Sequence, residues 1–158
     1  MNDINLLKNK IDTKVTKFVL LSVVTGGIYP MMWLFLNQSK LTEEMKNEFV
    51  AKDYPLWLAI VTGFGWLLID VSYAVSDTET ILDHIATLLS VASAVMLIVW
   101  AFKAKSALRA YALNEFKFEL KMNPFYTFIF SIYYIVYCIN DMESELQKHN
   151  IIHSKQNS

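Results

Sequence analysis

Residues 55–74 read PLWLAIVTGFGWLLIDVSYA, a run of 20 residues in which Asp70 is the only ionisable side chain. A helix rises about 1.5 Å per residue, so about 20 residues cross the roughly 30 Å hydrocarbon core of a membrane. Residues 81–102 form a second apolar run of similar length. We therefore predict an all-α integral membrane protein in which helices at 55–74 and 81–102 span the bilayer.

Two further apolar segments, at 18–36 and 124–139, are predicted to enter the membrane without crossing it. The first is interrupted by a glycine pair and Pro30, and because proline disrupts helical hydrogen bonding we expect a break near Tyr29. The second begins at Pro124 and is rich in tyrosine, which prefers the headgroup level of a bilayer. We predict re-entrant or interfacial segments, and a four-span bundle is the alternative.

The distribution of basic residues predicts the orientation. The chain has 14 Lys and Arg residues, and none of them lies between residues 75 and 84. Four crossings would divide these residues six to eight between the two sides, whereas two crossings put all 14 on one side. Cytoplasmic loops collect lysine and arginine, so this pattern favours two spans with both termini in the cytoplasm. We predict one membrane domain over 1–158, with flexible polar ends at 1–14 and 146–158.

Two stretches between the apolar segments have the spacing of amphipathic helices. Residues 39–49 form a short one, and the helix that begins at 81 is predicted to continue past the membrane through 103–121. Its Lys103, Lys105 and Arg109 are candidate contacts for anionic lipid headgroups, at about 1 kcal/mol per charge near the surface. A solvated helix face is the alternative interpretation.

Residues 21–37 read LSVVTGGIYPMMWLFLN and contain a motif of glycine and aromatic residues. The motif residues are Thr25, Gly26, Gly27, Ile28, Tyr29, Pro30 and Trp33. This stretch resembles the hallmark of the domain-of-unknown-function 4234 family, a family of small bacterial membrane proteins. It departs from the family pattern at Pro30-Met31-Met32, where an aromatic residue is expected before the tryptophan. The resemblance implies a helical protein of the bacterial inner membrane and brings no established activity with it.

The segments at 18–36 and 124–139 also resemble each other. Gly27-Ile28-Tyr29 in the first corresponds to Ser131-Ile132-Tyr133 in the second, and an aromatic residue and an asparagine follow in both. An internal duplication would produce this pattern, as membrane folds often contain such repeats. Chance similarity between two aromatic-rich segments is the alternative.

Asp70 is a candidate functional residue because ionisable groups inside membrane helices are costly and often mark ion or proton paths. A position near the outer headgroups, with local hydrogen bonding, is the alternative. Small residues four apart let membrane helices approach closely, either within one chain or between copies. The residues with this spacing are Ala59 and Gly63 in the first span and Ala86, Ser90 and Ala94 in the second.

The sequence gives no pattern for catalysis. It has no P-loop, dinucleotide fingerprint or nucleophile elbow, and its three histidines lie outside the apolar segments, since the apolar part of the second span begins at residue 85. We predict no catalytic, cofactor or metal site, and a net charge of −1 argues against a nucleic-acid partner. The expected function is non-catalytic assembly or interaction at the cytoplasmic leaflet, with lipids and a second copy or another membrane protein as partners. An oligomeric channel or membrane-perturbing effector with Asp70 near its path is the alternative.

Overall fold

The computed structural model describes residues 3–75 and 81–156, with side chains as far as Ile152. Every regular element in these two ranges is an α-helix, as the sequence predicts. The helices are α1 (Leu6–Ile11), α2 (Val15–Val24), α3 (Ile28–Met45), α4 (Tyr54–Val75), α5 (Ile81–Phe116) and α6 (Pro124–Gln156).

Helices α4 and α5 form an antiparallel pair. The Tyr54 hydroxyl at the start of α4 donates a hydrogen bond to the Met96 carbonyl, with an O···O distance of 2.7 Å. Eleven residues further along α4, a Cβ added at Gly65 would lie 3.5 Å from Leu89 Cβ, so the backbones approach closely there. Both predicted spans are confirmed as helices long and apolar enough to cross a membrane.

The pair leaves most of its apolar surface uncovered. Each helix contains an apolar stretch of 18 residues, and only 22% of this stretch in α4 and 17% in α5 is buried within the chain. Trp57, Phe64 and Leu67 on α4 and Leu88 on α5 are among the exposed large side chains. The two helices therefore differ from the core helices of a soluble protein, which bury their apolar faces.

Helices α2 and α3 form a hairpin that turns at Thr25–Gly27. Gly26 (φ 58°) and Gly27 (φ 91°) adopt left-handed conformations, and the Gly27 N–H donates to the Ser22 carbonyl at 2.8 Å. This is a glycine-terminated helix end. The predicted break near Tyr29 is thus misplaced, because the glycines end α2 before Pro30 is reached. Pro30 lies in the first turn of α3, where no backbone N–H is needed for an intrahelical bond.

Helix α3 also continues beyond the predicted apolar segment. It runs without interruption to Met45, so residues 39–45 of the amphipathic helix predicted at 39–49 are the second half of α3, and residues 46–49 lie beyond its end. Leu41 and Met45 extend the buried face that begins with Trp33 and Leu34. The apolar and amphipathic parts share one buried stripe, which explains why they form one helix.

Helix α6 begins at Pro124 as predicted but is broken at Ser131, which the sequence does not predict. Ser131 has φ 45° and ψ −118°, and its hydroxyl donates to the Leu97 carbonyl on α5 at 3.1 Å. The short first arm, 124–130, folds back so that Tyr126 lies 5.8 Å from Tyr134 between ring centroids. The second arm runs beside α5 toward the C-terminal end of that helix.

Both ends of the chain, at 1–14 and 146–158, are predicted as flexible and polar, and both contain helix in the structure. The segment predicted as a flexible end over 1–14 contains α1, whose Leu7 and Ile11 are buried in the core. The segment predicted as a flexible end over 146–158 continues α6 as far as Gln156. The buried core of the chain lies where α1, α2, α3 and the second half of α5 meet the second arm of α6.

Candidate membrane-interface site

The glycine and aromatic motif holds three chain segments together. Trp33 is buried, and its indole Nε1 donates to Thr13 Oγ1 at 2.8 Å. The Asn140 side-chain amide of α6 donates to the Thr13 carbonyl at 2.9 Å. Thr13 therefore links α3 to α6 through the junction of α1 and α2.

The ring of Phe18 fills the space between the hairpin and α6. It is fully buried, and its centroid lies 5.6 Å from Tyr29, 5.4 Å from Trp33 and 5.2 Å from Tyr133. All three contacts are edge-to-face, a favourable arrangement for aromatic rings. Tyr29 and Tyr133, which correspond in the proposed repeat, thus pack against the same ring.

The other motif residues act on the backbone. Thr25 Oγ1 accepts a hydrogen bond from the Tyr29 N–H at 2.9 Å and so caps the start of α3. The Asn37 amide donates to the Trp33 carbonyl at 2.9 Å, while Asn37 Oδ1 is buried without a hydrogen-bond partner among the described residues. Ile28 is exposed at the tip of the hairpin. The motif thus forms a structural turn and anchor.

The three candidate headgroup residues do not share one surface. Lys105 and Arg109 line a cleft of about 630 Å³ between α5 and the first arm of α6, whereas Lys103 is exposed outside it. Positions 103 and 105 are about 200° apart around a helix, so the two lysines lie on opposite sides. The structure adds to the cleft Lys121, Asn123, Tyr126 and Tyr134, which the sequence analysis did not single out.

Burial perturbs several groups around this cleft. Lys105 is 9% exposed, and burial together with Arg109 one turn further along α5 lowers its pKa from the ordinary value. Burial also raises the pKa of Tyr134, whose hydroxyl accepts a hydrogen bond from the Asn123 N–H. Cys138 is buried nearby, and burial raises the pKa of its thiol to about 12.

The predicted small-residue positions divide into two sets. Ala86 is buried and Ser90 lies close to Gly65 in the α4–α5 contact, but Ala94 is exposed. On α4, Leu58, Thr62 and Gly65 are buried, and Gly65 faces Leu89 and Ser90 of α5. Ala59 and Gly63 were predicted for helix packing and are exposed, because their positions point away from that contact.

Asp70 lies on the same exposed face of α4. At about 100° per residue, positions 59, 63 and 70 fall within about 40° of one another. Asp70 is exposed and makes no hydrogen bond or ion pair with any residue in the described ranges. The structure thus brings Asp70 together with Ala59 and Gly63, which the sequence analysis considered separately.

Metal-ligand geometry does not appear in the described part of the chain. No group of three His, Cys, Asp or Glu side chains there is arranged to hold an ion. The ring centroid of His149 lies 6.1 Å from that of Phe118. His153 falls outside the described side chains.

Fold and site together define a class of small helical protein. Two of its helices, α4 and α5, are long and apolar enough to cross a membrane, and broken helices pack beside one end of this pair. The chain belongs to the family described as Domain of unknown function (DUF4234), whose model matches residues 13–110. This confirms the resemblance drawn from residues 21–37. The matched region begins at Thr13 and includes Trp33, so it contains the hydrogen bond that anchors the motif. No curated protein and no solved structure matches this chain.

Proposed function

We propose that this chain is a two-span inner-membrane protein of non-catalytic type that acts by assembly or interaction at the cytoplasmic leaflet. The observation that carries the proposal is the exposure of α4 and α5. The apolar stretches of α4 and α5 are only 22% and 17% buried, respectively. Exposed apolar surface of this extent is stable in lipid rather than in water. All 14 basic residues then lie on the cytoplasmic side.

The two broken helices fit half-inserted segments in this arrangement. Ser131 contacts Leu97, which is five residues before position 102, or about 7.5 Å along α5. The turn of α6 therefore reaches only part of the way into the cytoplasmic half of the bilayer. At the turn of the α2–α3 hairpin, Val23, Val24 and Ile28 are exposed and apolar, as expected of a tip in lipid.

The exposed face of α4 supports assembly. Ala59 and Gly63 leave a shallow place where another helix can approach closely, and Asp70 follows on the same face. A carboxylate that faces lipid is costly, so a polar partner from a second copy would stabilise it. We therefore propose that α4 forms the contact in a homo-oligomer.

Cysteine accessibility tests the topology. In a chain with Cys138 replaced by alanine, single cysteines at Lys46, Lys117 and Glu79 are treated in intact cells with a membrane-impermeant maleimide. Position 79, which lies outside the described residues, should label, and positions 46 and 117 should label only after lysis. Labelling of position 46 in intact cells would overturn the two-span arrangement.

Crosslinking in native membranes tests the assembly. Gly63→Leu should reduce the crosslinked oligomer at least fivefold, because the added bulk separates the helices. Ala94→Leu, which places the same bulk on the exposed face of α5, serves as the control. Equal yields from wild type and Gly63→Leu would contradict a contact through α4.

A channel or membrane-perturbing effector is the second candidate function, favoured by Asp70 of α4, which is exposed and forms no hydrogen bond or ion pair within the described ranges. Several copies arranged through this face would bring their Asp70 carboxylates together around a path. Ion flux into liposomes that contain the oligomer separates the two functions. Flux that Asp70→Asn abolishes would support the channel, and absence of flux from reconstituted oligomers would support the non-catalytic scaffold.

A further inference from the structure

The cleft between α5 and the first arm of α6 contains Lys105, a buried cation with no counter-ion among the described residues. Lys105 is 9% exposed, and its ammonium lies 5.7 Å from the centroid of the Phe102 ring on the same helix. No carboxylate forms an ion pair with it in the ranges that the structure describes. A buried charge is unfavourable unless it is paired, so an anion in the cleft would stabilise this side chain.

The other charges of the cleft do not provide that partner. Glu119, the carboxylate in the lining, is engaged by Arg109 at 2.9 Å. Lys121 also lines the cleft, is exposed at its edge, and forms no ion pair with the described residues. Two ammonium groups therefore remain for one ligand, and an anion with several oxygen acceptors satisfies both.

The position of the cleft along α5 indicates the source of the anion. Lys105 lies three residues beyond position 102, or about 4.5 Å past the end of the predicted span, at the depth expected for lipid phosphates. Tyr126 and Tyr134 stand at its side, and tyrosine favours this level of a membrane. The apolar residues Phe128 and Ile129 of the same arm are exposed.

We propose that this cleft binds the phosphate of an anionic glycerophospholipid, with Lys105 at its base, Lys121 at its edge and the acyl chains against the first arm of α6. The proposal rests on the proposed function in one respect, namely the depth at which α5 lies in the membrane. It narrows the predicted headgroup contacts to one side of that helix and excludes Lys103. It also assigns a role to the fold-back at Ser131, which places the first arm over Lys105.

Lipid binding to the full chain in neutral detergent micelles tests the proposal. The probes are dihexanoyl phosphatidylglycerol, dihexanoyl phosphatidylcholine and sodium phosphate, and bound lipid is counted by native mass spectrometry. We expect Lys105→Gln and Lys121→Gln each to weaken phosphatidylglycerol binding at least tenfold. Lys103→Gln removes the same charge two residues from Lys105 and should change binding less than twofold.

Three results would overturn the proposal. One is equal loss of binding in Lys103→Gln, which would indicate attraction to the general charge of the helix. Another is unchanged binding in both Lys105→Gln and Lys121→Gln. The third is displacement of the lipid by sodium phosphate at equal concentration, which would assign the cleft to the free ion.

Thermal unfolding provides a second measurement that does not depend on counting lipid. Lys105→Met removes the unpaired buried charge, so its Tm without lipid should equal or exceed that of wild type. Added phosphatidylglycerol should raise the Tm of wild type and leave that of Lys105→Met unchanged; an equal rise in both would contradict the site. These experiments use micelles, so their outcome does not depend on the two-span topology in cells. A failure of that topology can therefore be distinguished from a failure of the lipid site.

Discussion

At the scale of single residues, the motif is explained by backbone conformation. Gly27 has φ 91°, a region that L side chains rarely adopt, and nothing lies within 4 Å of a Cβ added there. Any penalty for a side chain at position 27 is therefore conformational and not steric. Thr25, Tyr29 and Trp33 then fix the direction in which α3 leaves this turn.

Gly27→Ala should lower the free energy of unfolding by about 1–2 kcal/mol, because alanine is strained in the left-handed region. Gly63→Ala is the matched control, since Gly63 is helical and its added Cβ also has no neighbour within 4 Å. The control should be neutral or more stable by up to about 1 kcal/mol, as alanine is the better helix former. Unfolding in neutral detergent micelles measures both, and equal values would contradict the role of the turn.

Cys138 should react slowly with maleimide in the folded chain. Its pKa of about 12 keeps the thiol protonated at pH 8, where a free cysteine with a pKa of about 8.5 is about one-quarter thiolate. We expect labelling to be at least about 100-fold slower than after denaturation, and to accelerate as the pH rises. Ser106→Cys, at an exposed position of α5, should label rapidly in the same sample. Comparable rates at the two positions would show that Cys138 is accessible.

At the scale of elements, two helix breaks have different causes. The glycine pair causes the break between α2 and α3, whereas α6 breaks at a serine, a residue that is compatible with a continuous helix. Ser131 has φ 45° and ψ −118°, close to the first central residue of a type II′ turn, where glycine is usual. Its hydrogen bond to Leu97 and the contact of Tyr126 with Tyr134 hold the bend.

Substitutions at Ser131 separate backbone strain from the hydrogen bond. Ser131→Ala loses the hydrogen bond and keeps the strain of about 1–3 kcal/mol, whereas Ser131→Gly loses the bond and releases the strain. After allowing roughly 0.5–1 kcal/mol for the flexibility of glycine in the unfolded chain, the glycine variant should be more stable than the alanine variant by about 1 kcal/mol. Chemical unfolding in micelles measures the difference. A more stable alanine variant would indicate that α6 straightens when the bond is lost.

At the scale of the whole molecule, the pair of long apolar helices and the packed core are distinct. Helices α4 and α5 keep their outer faces apolar and exposed, while α1, α2, α3 and the second arm of α6 bury large side chains around the second half of α5. Trp100 marks the boundary, because its indole Nε1 on α5 donates to Gln38 Oε1 on α3 at 2.8 Å. The core therefore connects the spans to the segments that carry the motif.

Thr13→Val tests how strongly the core joins these elements. Valine has a similar shape but removes the acceptor for the buried Trp33 indole N–H, so the free energy of unfolding should fall by about 1–3 kcal/mol. Thr16→Val makes the same change at an exposed position of α2 and should be nearly neutral. Thermal unfolding of the two variants measures the difference. An unchanged stability for Thr13→Val would mean that another acceptor replaces the hydroxyl.

The candidate cleft illustrates what a single sequence leaves out. The sequence predicts Lys103, Lys105 and Arg109 alike as headgroup contacts because they follow an apolar run, and the structure places only Lys105 and Arg109 in the cleft. Tyr134 joins them because the chain folds back at Ser131, and Lys121 joins them because the connection 117–123 returns alongside α5, where Glu119 pairs with Arg109. No local signal distinguishes that serine from others in a helix, so the sequence cannot indicate which residues meet in the cleft.

The amino-acid sequence alone determined the helical class, the two long apolar helices, the glycine turn and the start of α6 at Pro124. These features depend on local properties, namely hydropathy over about 20 residues and the backbone preferences of glycine and proline. Only the tertiary structure decided which face of α4 packs on α5, that Thr13 joins α3 to α6, and that Lys105 is buried. Those outcomes depend on side chains far apart in the chain competing for the same space, and no property of a short segment records that competition.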